Sequence, residues 1–477
     1  MPHNQKWILI QGHFKLKDIT MSEYQVSNPS TGEIEATYPT ATEQDIQNAI
    51  EQADNAYQDW QKTSLSERSV ILNKVADLYI ERQDELARIV ANEMGKPVAQ
   101  AKGEIQLVAE IYRYYADNAA QLLAPNKIDV AEGSASVEKL PVGVLLGIMP
   151  WNYPHYQVAR FVAPNFMAGN TVILKHAPQC PNTAEVIAEM LTEAGLPNGV
   201  YNNVFATNDQ AATIIEDTRV QGISLTGSER AGQAVAKIAG GALKKVVLEL
   251  GGSDAFIVAA DADIEQAVQG AITGRFGNTG QACNAAKRLI IVESVYDQFV
   301  KGFTDAVRGM SLADPQSEDT FIGPMSSKAA ATNLQEQLDN AVKAGATVLV
   351  EGGIVKDKPG AWFAPAVLTD VNDSMDVYSQ ELFGPVAVIY KADDIAHAIK
   401  IANDVPFGLG ASIQTQDAAL AAEIAEQLEV GMVTINAPSG TEANTPFGGV
   451  KRSGFGRELG TLGITEFLNY KLIRDKS

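Results

Sequence analysis

The stretch VGVLLGIMPWNYP, residues 142–154, decides how this chain is read. It is an apolar run of strand length, closed by prolines around Trp151 and Asn152, with no alternation of polar and apolar residues. A run apolar on both faces predicts a parallel strand covered by helices on either side. Towards the C-terminus the pattern returns. TVILK (171–175), VYNNVFA (200–206), GISLTG (222–227) and VVLEL (246–250) alternate with helical segments, one of them near Thr183 to Ala194. After Gly251 and Gly252, a candidate hinge, it resumes with AFIVA (255–259), RLIIVE (288–293), ATVLVE (346–351), VAVIY (386–390), LGASIQ (409–414) and MVTIN (432–436). Alternating strands and helices predict an α/β fold with two successive α/β domains. The length agrees, since 477 residues exceed the roughly 250–300 at which a single core stops growing.

Towards the N-terminus the texture is helical. Ile46, Ala49, Ile50, Ala53, Tyr57 and Trp60 recur at helical spacing, opened by Thr42 with Asp45 three residues on as a capping box. A second helix is expected from Ser64, with Glu67 at its third position, running to the punctuation at Gly95 and Pro97. The first twenty residues differ in texture from the rest of the chain, and Met21 offers a second start, so residues 1–20 are expected to be an extension outside the folded unit.

A formal charge of −21 repels phosphate backbones and anionic lipid, so nucleic acid and membranes are not expected partners. No run approaches the roughly 18 apolar residues of a membrane span. The two cysteines, Cys180 and Cys283, exclude a disulfide framework and a Cys-rich metal site, and suit a reducing cytoplasm. The five histidines form no ligand pair, so no metal is expected. There is no GxGxxG; GSERAG has Walker-like glycine spacing but Gln233 in place of the lysine; no GxSxG is present.

Five places could carry chemistry. Cys283 follows Phe276-Gly-Asn-Thr-Gly-Gln-Ala282; glycines and polar residues make poor core material and suit a loop approaching a ligand, although a lone cysteine can equally be an inert buried thiol. Lys287 and Arg288 nearby could favour its thiolate. Glu249 interrupts the apolar VVLEL: it either faces solvent or is a buried carboxylate of raised pKa fit to be a general base. Asn152 is either a turn residue or an amide donor at the carboxyl edge of the sheet, where open α/β sheets bind ligands. Lys175 closes a strand, a place where lysines are usually solvated. In LTGSERAG (225–232) a strand runs into a helix whose start, at Ser228, could hold a phosphate.

PWNYP, LKHAP, LTGSERAG, LELGGSD, FGNTGQAC, ELFGPV and PFGGVKRSGFGRE, in this order from about Ser22 to the C-terminus, resemble the aldehyde dehydrogenase superfamily. The resemblance implies a variant Rossmann coenzyme domain (residues 21–118 and 142–250), an α/β catalytic domain (251–435) and a small β oligomerisation arm, with 119–141 and 436–477 as oligomerisation and bridging segments. It implies Cys283 as nucleophile, passing through a thiohemiacetal and a thioester. Asn152 with the Cys283 N–H would hold the oxyanion, and Glu249 would activate the hydrolytic water. Trp151, Lys175, Gly227, Ser228, Glu381 and Phe383 fall at cofactor-binding positions. Pro178 stands where NAD-selective members often carry a glutamate, so NAD or NADP is expected, with NADP usable. LKHAP and GQACNAAKR resemble the bacterial succinate-semialdehyde dehydrogenase branch. That branch implies oxidation of succinate semialdehyde to succinate, with another small aldehyde as alternative and Thr441 as a substrate contact. Thr441 and Glu442 replace the branch's Ser-Asp pair, and Asn444 stands in place of its arginine. Glu249 argues against thioester cleavage by CoA, and an intact Cys283, Glu249 and Asn152 against a catalytically silent scaffold. A cytoplasmic homodimer or homotetramer is expected.

Overall fold

The computed structural model describes residues 24–477; the expected extension at residues 1–20 lies outside them. The run at 142–154 forms the strand Val144–Ile148 at the centre of a six-stranded sheet. Its order is Gly454–Phe455, Lys245–Glu249, Val220–Thr226, Val144–Ile148, Thr171–Lys175, Tyr201–Asn203. All neighbours are parallel except the antiparallel edge Gly454–Phe455. The chain lays down Val144–Ile148 first, proceeds to one side, then returns to build the other. The switch point therefore falls between Val144–Ile148 and Val220–Thr226, where a crevice opens beyond the carboxyl ends. Register aligns those ends: Ile148 lies opposite Lys175 and Leu225, and Thr226 opposite Glu249.

The second sheet has seven strands in the order Thr347–Val350, Ala366–Thr369, Val386–Ala392, Ala286–Val292, Asp254–Val258, Gly410–Gln414, Met432–Ile435. Only Thr347–Val350 is antiparallel to its neighbour. Ala366–Thr369 has no counterpart among the expected strands; four residues between Pro365 and Asp370 are too short a run to stand out. A third, three-stranded antiparallel sheet joins Leu468–Asp475, Ser134–Pro141 and Asn126–Ile128.

The helix Glu43–Trp60 opens on the Thr42/Asp45 capping box. The expected single helix from Ser64 is two: Leu65–Glu81, capped by Ser64 and Glu67, and Gln83–Met94, separated at Arg82. The break changes what each buries. Leu72, Val75 and Ala76 join the large core around Trp60, whereas Ala87, Val90 and Met94 pack with Val98 and Ala101 beneath Trp151. After Pro97 the chain continues as the long helix Val98–Leu122, so the first residues of the 119–141 segment are helical and only its later part is strand. No helix among the described residues is long and apolar enough to cross a membrane.

Candidate active site

The loop that carries the cysteine is held in a conformation it would not adopt alone. Asn278, Thr279 and Gly280 all have positive φ (53°, 54° and 73°), a costly choice for a β-branched threonine. Surrounding chain clamps each position. Asn278 N–H donates to Gln100 Oε1 (2.6 Å), the Thr279 hydroxyl exchanges hydrogen bonds with backbone Gly323, and Gln281 Oε1 accepts from Ser326 N–H (2.9 Å). A Cβ at Gly280 would collide with the Gly384 carbonyl, so only glycine fits there. Strain over-determined in this way is characteristic of functional loops.

Cys283 emerges from this loop, partly exposed, between two hollows. The larger, about 340 Å³, lies at the switch point of the first sheet and is walled by Trp151, Asn152, Gly227, Ser228, Glu381 and Phe383. The smaller, about 180 Å³, is walled by Tyr156, Gln157, Asn284, Ser439, Thr441 and Phe447. Burial pushes the Cys283 thiol up to about 12; Arg160 and Lys287 pull it down, while Glu249 and Glu381 push it further up. The expected help from Arg288 is absent. Its guanidinium turns away to the carbonyls of Ser253, Ile401 and Ala402.

Asn152 is buried, its carboxamide donating to the Gln281 carbonyl (3.1 Å) while its own backbone carbonyl accepts from Asn278 Nδ2 (3.0 Å). The residues just after it are anchored from below. Glu104 Oε1 accepts the N–H groups of His155 (2.9 Å) and Tyr156 (3.0 Å) in the first turn of the helix Pro154–Ala168, and its other oxygen pairs with fully buried Lys96. The Lys96 ammonium lies 3.5 Å from the Tyr153 ring centroid.

Glu249 is on the wall of neither hollow. The residue is 2% exposed, and neither carboxylate oxygen has a hydrogen-bond partner among the described residues. A Cβ at Gly448, whose φ is +151°, would sit 2.6 Å from its Oε1. Burial holds its pKa well above the usual carboxylate range; Arg160 draws it down and Glu458 pushes it up. Arg160, fully buried, pairs with Glu458, donates to Thr226 Oγ1 (2.8 Å) and Tyr156 Oη (3.3 Å), and lies over the Tyr156 and Phe447 rings. Arg160 and Glu458 are not legible in the sequence, because a charged residue on a helix or in a loop is ordinarily solvated.

Lys175 is also off the wall of the larger hollow, at the end of the next strand. It is 6% exposed and has no hydrogen-bond or ion-pair partner among the described residues; burial brings its ammonium down to about 8. Ser228 caps the helix Glu229–Gly241, accepting from Ala231 N–H, while the Gly227 N–H is spent on the Glu249 carbonyl. Glu381 Oε1 accepts from Gly252 N–H (3.0 Å) and pairs with Lys287 (3.0 Å). Phe383 meets Trp151 edge-on, centroids 5.7 Å apart. A capped helix start and a carboxylate on the wall of one crevice, with a buried cation lacking an anion among the described residues at the end of the neighbouring strand, fit a dinucleotide with an adenosine phosphate. Cys180 is buried, its thiol pushed well up by burial. No group of three or more potential ligands for a metal occurs among the described residues.

The aldehyde dehydrogenase family model matches residues 17–473. A succinate-semialdehyde dehydrogenase (NADP(+)) of Deinococcus radiodurans is 48% identical over 94% of this chain and 94% of its own. One of Mycobacterium ulcerans is 42% identical over 94% and 98%. Among solved structures, succinic semialdehyde dehydrogenase from Streptococcus pyogenes in complex with NADP+ superposes with a TM-score of 0.93 at 39% identity, covering 95% of this chain and all of that one. With a cysteine between two hollows, one of them at the switch point of a parallel sheet, and this likeness running almost end to end, the chain belongs to the aldehyde dehydrogenase family.

Proposed function

We propose that this aldehyde dehydrogenase oxidises succinate semialdehyde to succinate with NADP as electron acceptor. The observation that carries the reading is the position of Cys283 at the junction of the switch-point crevice and a small hollow of mixed apolar and polar lining. The small hollow suits a four-carbon aldehyde. Tyr156, Gln157, Asn284, Ser439 and Thr441 offer donors to its distal carboxylate, and Arg160, itself paired with Glu458, donates to the Tyr156 hydroxyl from behind. For the cofactor, Lys175 without a carboxylate partner, and Pro178 in the following turn, favour a 2′-phosphate; Ser228, Glu381, Trp151 and Phe383 would hold the remainder.

The Cys283 sulfur, as thiolate, attacks the aldehyde carbon, and the carbonyl oxygen becomes the oxyanion of a thiohemiacetal, held by the Asn152 carboxamide and the Cys283 N–H. A dinucleotide held by Trp151, Ser228, Glu381 and Phe383 would supply the hydride acceptor needed to reach the thioester. Glu249 then rotates from beneath the crevice, where Gly448 leaves it room, takes a proton from water, and the hydroxide cleaves the thioester to release the carboxylate and the thiolate. A base kept out of the hollow during acylation does not protonate or displace the first intermediate.

The same reading divides the chain into a coenzyme part (21–118, 142–250) and a catalytic part (251–435), with 119–141 and 436–477 bridging and associating as a homodimer or homotetramer in the cytoplasm. The two sheets meeting at Cys283, and two free thiols, support it. The test is a panel of aldehydes against NADP and NAD with the purified enzyme. The highest kcat/KM is expected for succinate semialdehyde with NADP; a preference for uncharged aldehydes of similar length would exclude the substrate assignment.

A further inference from the structure

Beneath the nucleophile lies a cation to which the catalytic steps assign no part. Lys287 leaves the strand Ala286–Val292 at its second residue, and its side chain is 1% exposed. Its ammonium donates to the Ala282 carbonyl (2.8 Å) and the Cys283 carbonyl (2.7 Å), and pairs with Glu381 Oε1 (3.0 Å). An ammonium has three donors, and all three are engaged, as burial of a charge requires. The Ala282 carbonyl and the Cys283 N–H are the two ends of one planar trans peptide. A grip on the oxygen fixes where the N–H points, and a positive charge against the oxygen polarises the unit so that the N–H donates more strongly. The second bond holds the next carbonyl of the same loop. The third ties the loop to the carboxylate on the crevice wall, whose same oxygen accepts the Gly252 N–H.

We propose that Lys287 is a positioning residue of the oxyanion hole: it clamps and polarises the Ala282–Cys283 peptide from its carbonyl side and couples that peptide to Glu381. This rests on the reading of Cys283 as nucleophile and of its N–H, with Asn152, as oxyanion donors. The charged groups acting on the thiol are Arg160, Lys287, Glu249 and Glu381; those acting on buried Asp254, below Lys287, include Lys287, Arg288 and Glu381. A competing account makes Lys287 merely a positive charge that favours the thiolate.

Two rates separate the accounts. Alkylation of Cys283 by iodoacetamide depends on the thiolate but develops no oxyanion, because the attack is at saturated carbon. The first-turnover burst of reduced NADP from an aldehyde depends on the thiolate and on the oxyanion. Their ratio, measured on full-length enzyme across pH, cancels thiol ionisation. In Lys287→Met the ratio is expected to fall about 100-fold, the scale of losing an oxyanion donor. In Lys287→Gln, which keeps a neutral donor and serves where the methionine variant does not fold, a fall of about 10-fold is expected. A ratio unchanged in both variants, with burst and alkylation slowing together, overturns the proposal in favour of the charge account. Asn152→Ala is the control for the reading beneath it. If its ratio also stays at the wild-type value, the oxyanion hole itself is wrongly assigned; if it falls while the Lys287 variants do not, only the role of Lys287 is lost.

Discussion

Lys175 shows most simply how one residue sets a preference. Its ammonium is buried without a counter-ion among the described residues, and burial alone brings it down to about 8. A 2′-phosphate would restore the missing anion, so NADP should bind best while Lys175 is charged. Below pH 8 the cation is present, and above it the free enzyme progressively loses it. The Kd for NADP is expected to rise as pH passes 8, and fluorescence titration should show Lys175→Met both weakening NADP by about 10- to 100-fold and removing that pH dependence. A pH-independent Kd in the wild type would remove Lys175 from the phosphate site. Pro178→Glu places a carboxylate three residues from Lys175 and is expected to lower kcat/KM for NADP by at least about 10-fold while sparing NAD, read from steady-state rates with both dinucleotides.

At the scale of elements, the groups proposed to react stand at or just beyond strand ends and on one strained loop, and the elements are held by buried ions. Glu104, on the helix Val98–Leu122, satisfies two N–H groups at the start of Pro154–Ala168 and thereby fixes the turn that presents Asn152. Removing one member of a buried pair leaves the other charge stranded. Glu104→Ala is therefore expected to cost about 3–5 kcal/mol in chemical denaturation and to lower kcat. Lys96→Met with Glu104→Met should lose less than Glu104→Ala alone, because no lone charge remains. If the double variant is the less stable, the pair contributes more than its mutual neutralisation. The strands are legible in the sequence because they are apolar on both faces, and Glu249 because a carboxylate among VVLEL breaks that pattern. Arg160, Glu458, Lys96, Glu104 and the grip of Lys287 are not, because each is compensated by a partner distant in sequence or by backbone carbonyls. The division of one helix into two at Arg82 is hidden for a related reason: both halves are amphipathic and both reach the large core, the second through Leu86, and only the second also builds the cluster beneath Trp151.

For the whole molecule, Cys283 lies between the crevice at the first sheet and the smaller hollow, which the proposed function assigns to electron acceptance and aldehyde entry. The tail beyond Ile435 contributes to three parts of the fold. It supplies Ser439, Thr441 and Phe447 to the small hollow, an edge strand to the first sheet and Leu468–Asp475 to the three-stranded sheet. That last strand exposes Tyr470, Leu472 and Ile473, and Met432–Ile435 is an open sheet edge; both invite pairing with a second copy. Leu472→Asp with Ile473→Lys is expected to shift the particle to smaller mass in light scattering with the fold retained; an unchanged mass would exclude that strand from the contact.

The proposed reaction is a covalent path with Cys283 as nucleophile and Glu249 reserved for hydrolysis. The most direct test is rapid mixing of Glu249→Gln with succinate semialdehyde and NADP while reduced NADP is followed. The covalent path predicts a burst approaching one equivalent per Cys283, then steady turnover slowed by about 100-fold or more, with thioester trapped on the protein. Steady turnover equal to the wild type, or the absence of any burst while Cys283 remains alkylatable, would contradict it.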